Sequence, residues 1–279
     1  MRVGLALLSL LVVTGCGVAS ILRTTAPAPP PTAPPTAAPT TGGATPGPET
    51  VDPSGTGQAG EPGRPRPWPS PTAPEPRDIS CARTRCVALT FDDGPGNYTS
   101  TVLDVLARHH ARATFFLVGE MIGKDDRPVL RRMVAEGHEL GNHTWDHRDL
   151  TAMSDAGLRR EIVRTEKLVK DLTGVRMHGM RPPYGATDRR VTEETRRLGL
   201  AQILWAIDTL DWRDRVPKLV VQRSTKAKPG DIVLMHDIHK TTVEALPRLL
   251  KVLDEKGFTY VTVSELFGHL TPGKRYSDR

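Results

Sequence analysis

Two carboxylates stand side by side in "VALTFDDGPG", residues 87–96: Asp92 and Asp93 close an apolar run and precede a Gly-Pro-Gly turn. Adjacent like charges repel unless a cation sits between them or they face different ways. An Asp before Gly also serves simply to open a turn, so the pair alone does not separate chemistry from punctuation. His143 and His147 lie four apart in "GNHTWDH", and one helical turn at that spacing would set both imidazoles on one side. One carboxylate added to them makes a two-His-one-carboxylate set with coordination positions left for water and substrate. One Asp could then bind the cation while its neighbour stays free.

These residues need elements that bring them together, and the alternation of the chain supplies candidates. Strands are expected at Val87–Phe91, from Ala113, at Met177–Arg181, Ile203–Ile207, Ile232–Met235 and Tyr260–Val263. Helical patterns separate most of them. The clearest follows Ser154, where Leu158, Ile162, Thr165, Val169 and Leu172 share one face and Gly174 stops the run. Such alternation predicts an α/β fold, with a single distorted (β/α) barrel of about seven strands favoured over an open sheet and its active site at the carboxyl ends of the strands. The polar residues collect at those ends. Arg181 precedes Pro182, Pro183 and Tyr184; Asp208, Asp211 and Trp212 follow "ILWAI"; His236 and Asp237 follow "DIVLM".

In chain order, "TFDDG", "HTWDH", "RPPYG", "DTLDW" and "LMH" resemble the five motifs of the polysaccharide deacetylases of carbohydrate esterase family four, the chitooligosaccharide deacetylase homology domain. The resemblance covers residues 85–268. It implies that Asp93, His143 and His147 hold one divalent metal, usually zinc; by the Irving–Williams order such a site could also accept cobalt, nickel or copper in vitro. It implies that Asp92 is the general base and His236 the general acid. Asp211 would keep His236 charged, and Arg181 would orient Asp92 and keep it ionised. Tyr184 would offer its backbone N–H to the oxyanion, Trp212 a flat face to a sugar, and Leu234 a wall of the acetyl pocket. Among the remaining polar residues, His178 and His239 could touch substrate, Asp146 and Asp237 could brace neighbouring histidines, and His138 reads as a turn residue.

The rest of the chain bears on where such chemistry would happen. Val3–Val13 is an apolar stretch behind Arg2, too short to span a bilayer and suited to an export signal. "VVTGC" resembles a bacterial lipobox, with Cys16 as the lipidated residue and ordinary secretion as the alternative. Of 25 prolines, 17 lie between Pro27 and Pro76 among Thr, Ala and Gly; such a segment has too little bulky apolar surface to fold on its own. The expected organisation is therefore a signal peptide over 1–15, a linker over 16–77, a catalytic domain over 78–272 and a tail over 273–279. Cys81 and Cys86 could close a small disulfide in an oxidising compartment. The net charge of +6 is not gathered into a basic run, so no nucleic-acid partner is expected. The expected partners are a polysaccharide and, through the lipid anchor, a membrane, with the protein a monomer.

The resemblance implies removal of N-acetyl groups from an N-acetylglucosamine-containing polysaccharide, with release of acetate. An anchored domain on a long stalk favours cell-wall peptidoglycan. Chitooligosaccharide deacetylation and acetylxylan ester hydrolysis would use the same machinery. A wall glycan-binding lipoprotein without catalysis is the alternative from another class.

Overall fold

The computed structural model describes Thr72, Pro74 and residues 77–279. The expected signal peptide, Cys16 and nearly all of the linker lie outside the described residues. Strands and helices alternate as β1 (Cys86–Asp92), α1 (Thr99–Arg108), β2 (Thr114–Leu117), α2 (Arg127–Ala135), β3 (Glu139–Asn142), α3 (Asp155–Thr173), β4 (Gly179–Met180), α4 (Arg189–Leu198) and β5 (Ala201–Ile203). There follow β6 (Ile207–Asp208), α5 (Asp211–Asp214), α6 (Pro217–Ser224), β7 (Ile232–His236), α7 (Lys240–Glu255), β8 (Thr259–Tyr260), α8 (Val263–Phe267) and β9 (Arg275–Tyr276). The strands run parallel in the order β6-β7-β1-β2-β3-β4-β5-β9, with β8 paired to β1. The expected barrel is thus a curled, distorted one, with nine strands in place of about seven because several are only two residues long.

β1 is buried along its whole length, as a central parallel strand must be when both faces are covered. Its alternation sorts the core into two layers. Val87, Leu89 and Phe91 face outward onto Leu103, Leu106, Leu249 and Leu253 of α1 and α7. Cys86 and Ala88 face the interior with Phe116, Ile203, Ile232 and Leu266. Thr90 and Asp92 continue that inner row by period two, so the inner face turns polar toward the mouth.

β3 has a single bulky apolar residue in "ELGN", too little for a periodicity signal. Its place comes from contact: Gly141 is paired with Phe116, and a Cβ there would collide with that ring. The helix after Ser154 forms as expected. The Ser154 side chain accepts from Gly157 N–H at 3.2 Å, and Gly174 closes α3 at φ 79°.

Residues 273–279 correct an expectation. They pack as part of the domain, with β9 pairing to β5 and the Tyr276 ring 4.5 Å from Phe267. One aromatic among polar residues carried no pattern that could announce this strand. Cys81 and Cys86 are joined as a disulfide at the entrance to β1.

Candidate active site

Parallel register places the first two polar groups. Asp92 ends β1, His236 ends β7, and the two are paired in register. Both side chains therefore leave the same face of neighbouring strands. Strict alternation would send Asp93 to the opposite face. It does not go there, because Asp93 adopts φ 71°, a left-handed turn that Asp tolerates better than most residues. The turn brings its carboxylate back to the mouth, so the adjacent carboxylates serve one site from two backbone conformations.

His143 and His147 correct the expected helical turn. Their segment is a loop in which Thr144 has φ 68° and His147 φ 59°. Three neighbours fix its shape. Asn142 Oδ1 accepts from Thr144 N–H at 2.8 Å, Glu161 Oε2 accepts from the N–H groups of Trp145 and Asp146 at 3.0 Å each, and Thr165 donates to Thr144 O at 2.8 Å. The imidazoles end edge to face, 4.8 Å between centroids.

Asp93 Oδ1 lies 3.5 Å from His143 Nε2 and 3.4 Å from His147 Nε2. Ligand atoms of the three residues all fall within 4.8 Å of one another. His143 Nδ1 donates to Arg181 O at 2.6 Å, which leaves Nε2 as the lone-pair side facing Asp93. Burial lowers the His143 pKa to about 3 against the pull of Asp93, so the ring is neutral as a metal ligand must be. Asp93 Oδ1 is buried and has no hydrogen-bond partner. A buried carboxylate oxygen with no donor, beside the His143 lone pair and 3.4 Å from His147 Nε2, fits a divalent cation.

Arg181 is fully buried beneath this site, and each of its nitrogens is used. Nη1 donates to Asp92 Oδ1 at 2.7 Å and to Thr90 Oγ1 at 2.8 Å; Nε donates to Ile203 O at 3.1 Å and Nη2 to Leu204 O at 3.0 Å. Those carbonyls are available because the expected strand over 203–207 is broken into β5 and β6. Burial pushes the Asp92 carboxyl above the usual carboxylate range, and the Arg181 guanidinium and His236 pull it back.

On the other side, His236 Nδ1 meets Asp211 Oδ1 at 2.7 Å. Asp211 Oδ2 accepts from the backbone N–H of His236 at 2.8 Å and from Thr242 Oγ1 at 2.6 Å. Burial alone would lower the His236 pKa, but the Asp211 hydrogen bond and charge, with Asp92 and Asp93, raise it to about 9. The ring is thus an imidazolium at neutral pH.

Asp92, Asp93, His143, His147, Tyr184, Trp212, Leu234 and His236 line one cavity of about 420 Å³. Arg181 and Asp211 stand behind it, bonded to Asp92 and His236. Tyr184 has φ 60° and Trp212 sits at the rim, and both residues are exposed. Trp205 and Asp208 also line the cavity, though the first was hidden inside an expected strand. His239 lies beside the site, its ring 5.6 Å from that of His236. His178 does not reach it, since it precedes β4 and lines a separate cavity at the amino ends of the strands. His138 is buried, with Nδ1 accepting from Ala113 N–H at 3.1 Å. Asp146 pairs with Arg148 at 2.7 Å and Asp237 bonds Thr99, so neither braces a histidine side chain.

Residues 80–203 match the family model described as polysaccharide deacetylase. The chain is 42% identical over 213 residues to a peptidoglycan-N-acetylglucosamine deacetylase of Listeria monocytogenes, a match covering 75% of this chain and 45% of that protein. It therefore spans about half the length of that relative. A chitooligosaccharide deacetylase of Bradyrhizobium sp. is 36% identical over 192 residues, covering 63% of this chain and 87% of the relative. Among solved structures, the T48 deacetylase with substrate superposes with a TM-score of 0.68 at 42% identity, over 71% of this chain and 100% of that one.

Proposed function

Because the chain belongs to the polysaccharide deacetylase family, we propose that it hydrolyses N-acetyl groups of an N-acetylglucosamine-containing polysaccharide, cell-wall peptidoglycan first, and releases acetate. The observation that carries this reading is one cavity holding three residues able to ligate a cation, a buried carboxylate and an imidazolium side by side. Asp93, His143 and His147 are the residues that would hold one divalent metal, zinc by the chemistry of the donor set. When bound, such a metal supplies Lewis acidity toward the acetamide oxygen and lowers the pKa of the attacking water.

The chain's own residues account for the proton movements. Asp92 takes the proton of the attacking water on Oδ2, the oxygen that Arg181 leaves free. A carboxyl whose pKa is raised by burial is a stronger base than an exposed one. Tyr184 N–H is assigned to the oxyanion that forms when water adds to the carbonyl carbon. His236 then gives its proton to the nitrogen as the C–N bond breaks, leaving acetate and a free amine. Asp211 keeps that imidazole charged and oriented until the transfer. Trp212 provides a face for a sugar ring and Leu234 a wall for the acetyl methyl.

The location forms part of the same proposal. Export directed by the first 15 residues, lipidation of Cys16 and a proline-rich linker over 16–77 would hold the domain within reach of the wall. The test is acetate release from peptidoglycan, chitooligosaccharides and acetylxylan by the zinc-loaded chain, with Asp92→Asn in parallel. Release from the amino-sugar polymers that disappears in the variant supports the proposal; release from xylan alone would replace it with an esterase.

A further inference from the structure

Beside the catalytic pair lies a second group of polar side chains that the reaction does not use. Arg215 follows α5 in the left-handed region, φ 52° and ψ 35°, an uncommon conformation for a residue with a Cβ. Its Nε donates to Trp212 O at 2.8 Å, and its Nη1 meets His239 Nδ1 at 2.6 Å. A guanidinium can only donate, so His239 Nδ1 accepts and the neutral ring carries its hydrogen on Nε2. Both partners adjoin the catalytic groove: Trp212 lines the cavity, and the His239 ring is 5.6 Å from that of His236.

The two carboxylates of α5 are committed elsewhere. Asp214 pairs with Arg213 at 2.8 Å and with Arg223 at 2.5 Å, and Asp211 is taken up by His236 and Thr242. Among the described residues, Arg215 forms no salt bridge to a carboxylate, and it is exposed. The result is a donor-only cluster of one cation and one imidazole N–H, fixed at both ends, at the edge of a sugar-binding groove. A guanidinium fork held in this way is complementary to a carboxylate. A neutral sugar would leave the charge unmatched.

Resting on the deacetylase reading above, we propose that Arg215 and His239 form a subsite for a carboxylate borne by the polymer, and that this subsite selects acidic amino-sugar polymers over neutral ones. Two carboxylates of peptidoglycan share this chemistry: the ether-linked acid on its muramic sugars and the carboxylates of its peptides.

The test compares the zinc-loaded wild-type chain with Arg215→Gln on three polymers: glycan strands stripped of peptides, intact peptide-bearing strands, and neutral chitooligosaccharides. Turnover and calorimetric binding are both read. The acidic-to-neutral ratio of kcat/KM is expected to fall by up to about fivefold in the variant, the upper end for an exposed ion pair, with the change in KM rather than kcat. Arg215→Lys keeps a charge without the fork and should fall between. The wild-type ratio should shrink as salt is raised. Dependence on Arg215 with stripped strands identifies the sugar acid; dependence only with intact strands identifies the peptide, and either supports the subsite. A ratio equal in wild type and variant, by turnover and by binding, overturns it while acetate release leaves the deacetylase standing. Binding that depends on Arg215 without acetate release from any polymer would do the reverse.

Discussion

Asp92 and His236 are register partners on neighbouring parallel strands, so the proposed base and acid project from one face of β1 and β7 at one level. Each is held from behind by an oppositely charged residue, Arg181 at 2.7 Å and Asp211 at 2.7 Å. Asp92→Asn should retain an oxygen for Arg181 Nη1 and keep the fold, while losing about 10²–10⁴ in kcat as expected for loss of general base catalysis. His236→Ala should lose a similar factor. Acetate release and thermal melts measure the two properties separately; a variant that melts normally and still turns over at the wild-type rate would remove its residue from the mechanism.

Asp211 sets the alkaline limit. With the His236 pKa raised to about 9, the proton needed by the leaving amine is present below that pH and is lost as pH rises through it. Asp211→Asn removes the charge that favours the imidazolium and leaves burial to lower the pKa, so the alkaline limb of kcat should move to lower pH by about one unit or more. An unmoved limb would assign it to another group.

Glu161 is predicted to matter for metal affinity although it touches no metal ligand side chain. Its carboxylate accepts from the Trp145 and Asp146 N–H groups and so fixes the loop between His143 and His147. Glu161→Ala should weaken zinc binding by about 10–100-fold, as loss of outer-shell support commonly does. Competition with a chromophoric chelator reads this directly, and wild-type affinity in the variant would show that the loop holds its shape unaided.

His138 predicts a component of stability that depends on pH. Burial, followed by the charges of Arg112, Arg132 and Arg77, lowers its folded pKa to about 4, against 6.5 for the ordinary group. Between those values the unfolded chain binds a proton that the folded chain does not, so this contribution is lost as pH falls from about 6.5 to about 4, by up to about 1.4 kcal/mol per pH unit. His138→Gln can still accept from Ala113 N–H and should flatten that part of the urea-midpoint profile. Parallel wild-type and variant profiles would contradict the assignment.

The sequence made most of the site legible because its chemistry sits in short contiguous motifs at strand ends. Asp92, Asp93, His143, His147, Tyr184, Trp212, Leu234 and His236 do line one cavity. What it concealed was conformation. The four-residue spacing of the histidines suggested a helical turn, whereas positive φ at Thr144 and His147 makes a loop whose anchors, Glu161 and Thr165, lie on α3. β3 and β9 escaped detection because Gly141 and Tyr276 are placed by tertiary contact with Phe116 and Phe267, not by any repeating pattern. Arg215 lay in a charged stretch, and only the folded chain sets it against His239.

Acetate released and free amines formed can be counted together when the zinc-loaded chain acts on peptidoglycan glycan strands. Deacetylation should yield one amine for each acetate, abolished by removing the metal or by Asp92→Asn and restored in the wild type by returning zinc. Metal bound at Asp93, His143 and His147 with neither product formed from any N-acetylated polymer would contradict it.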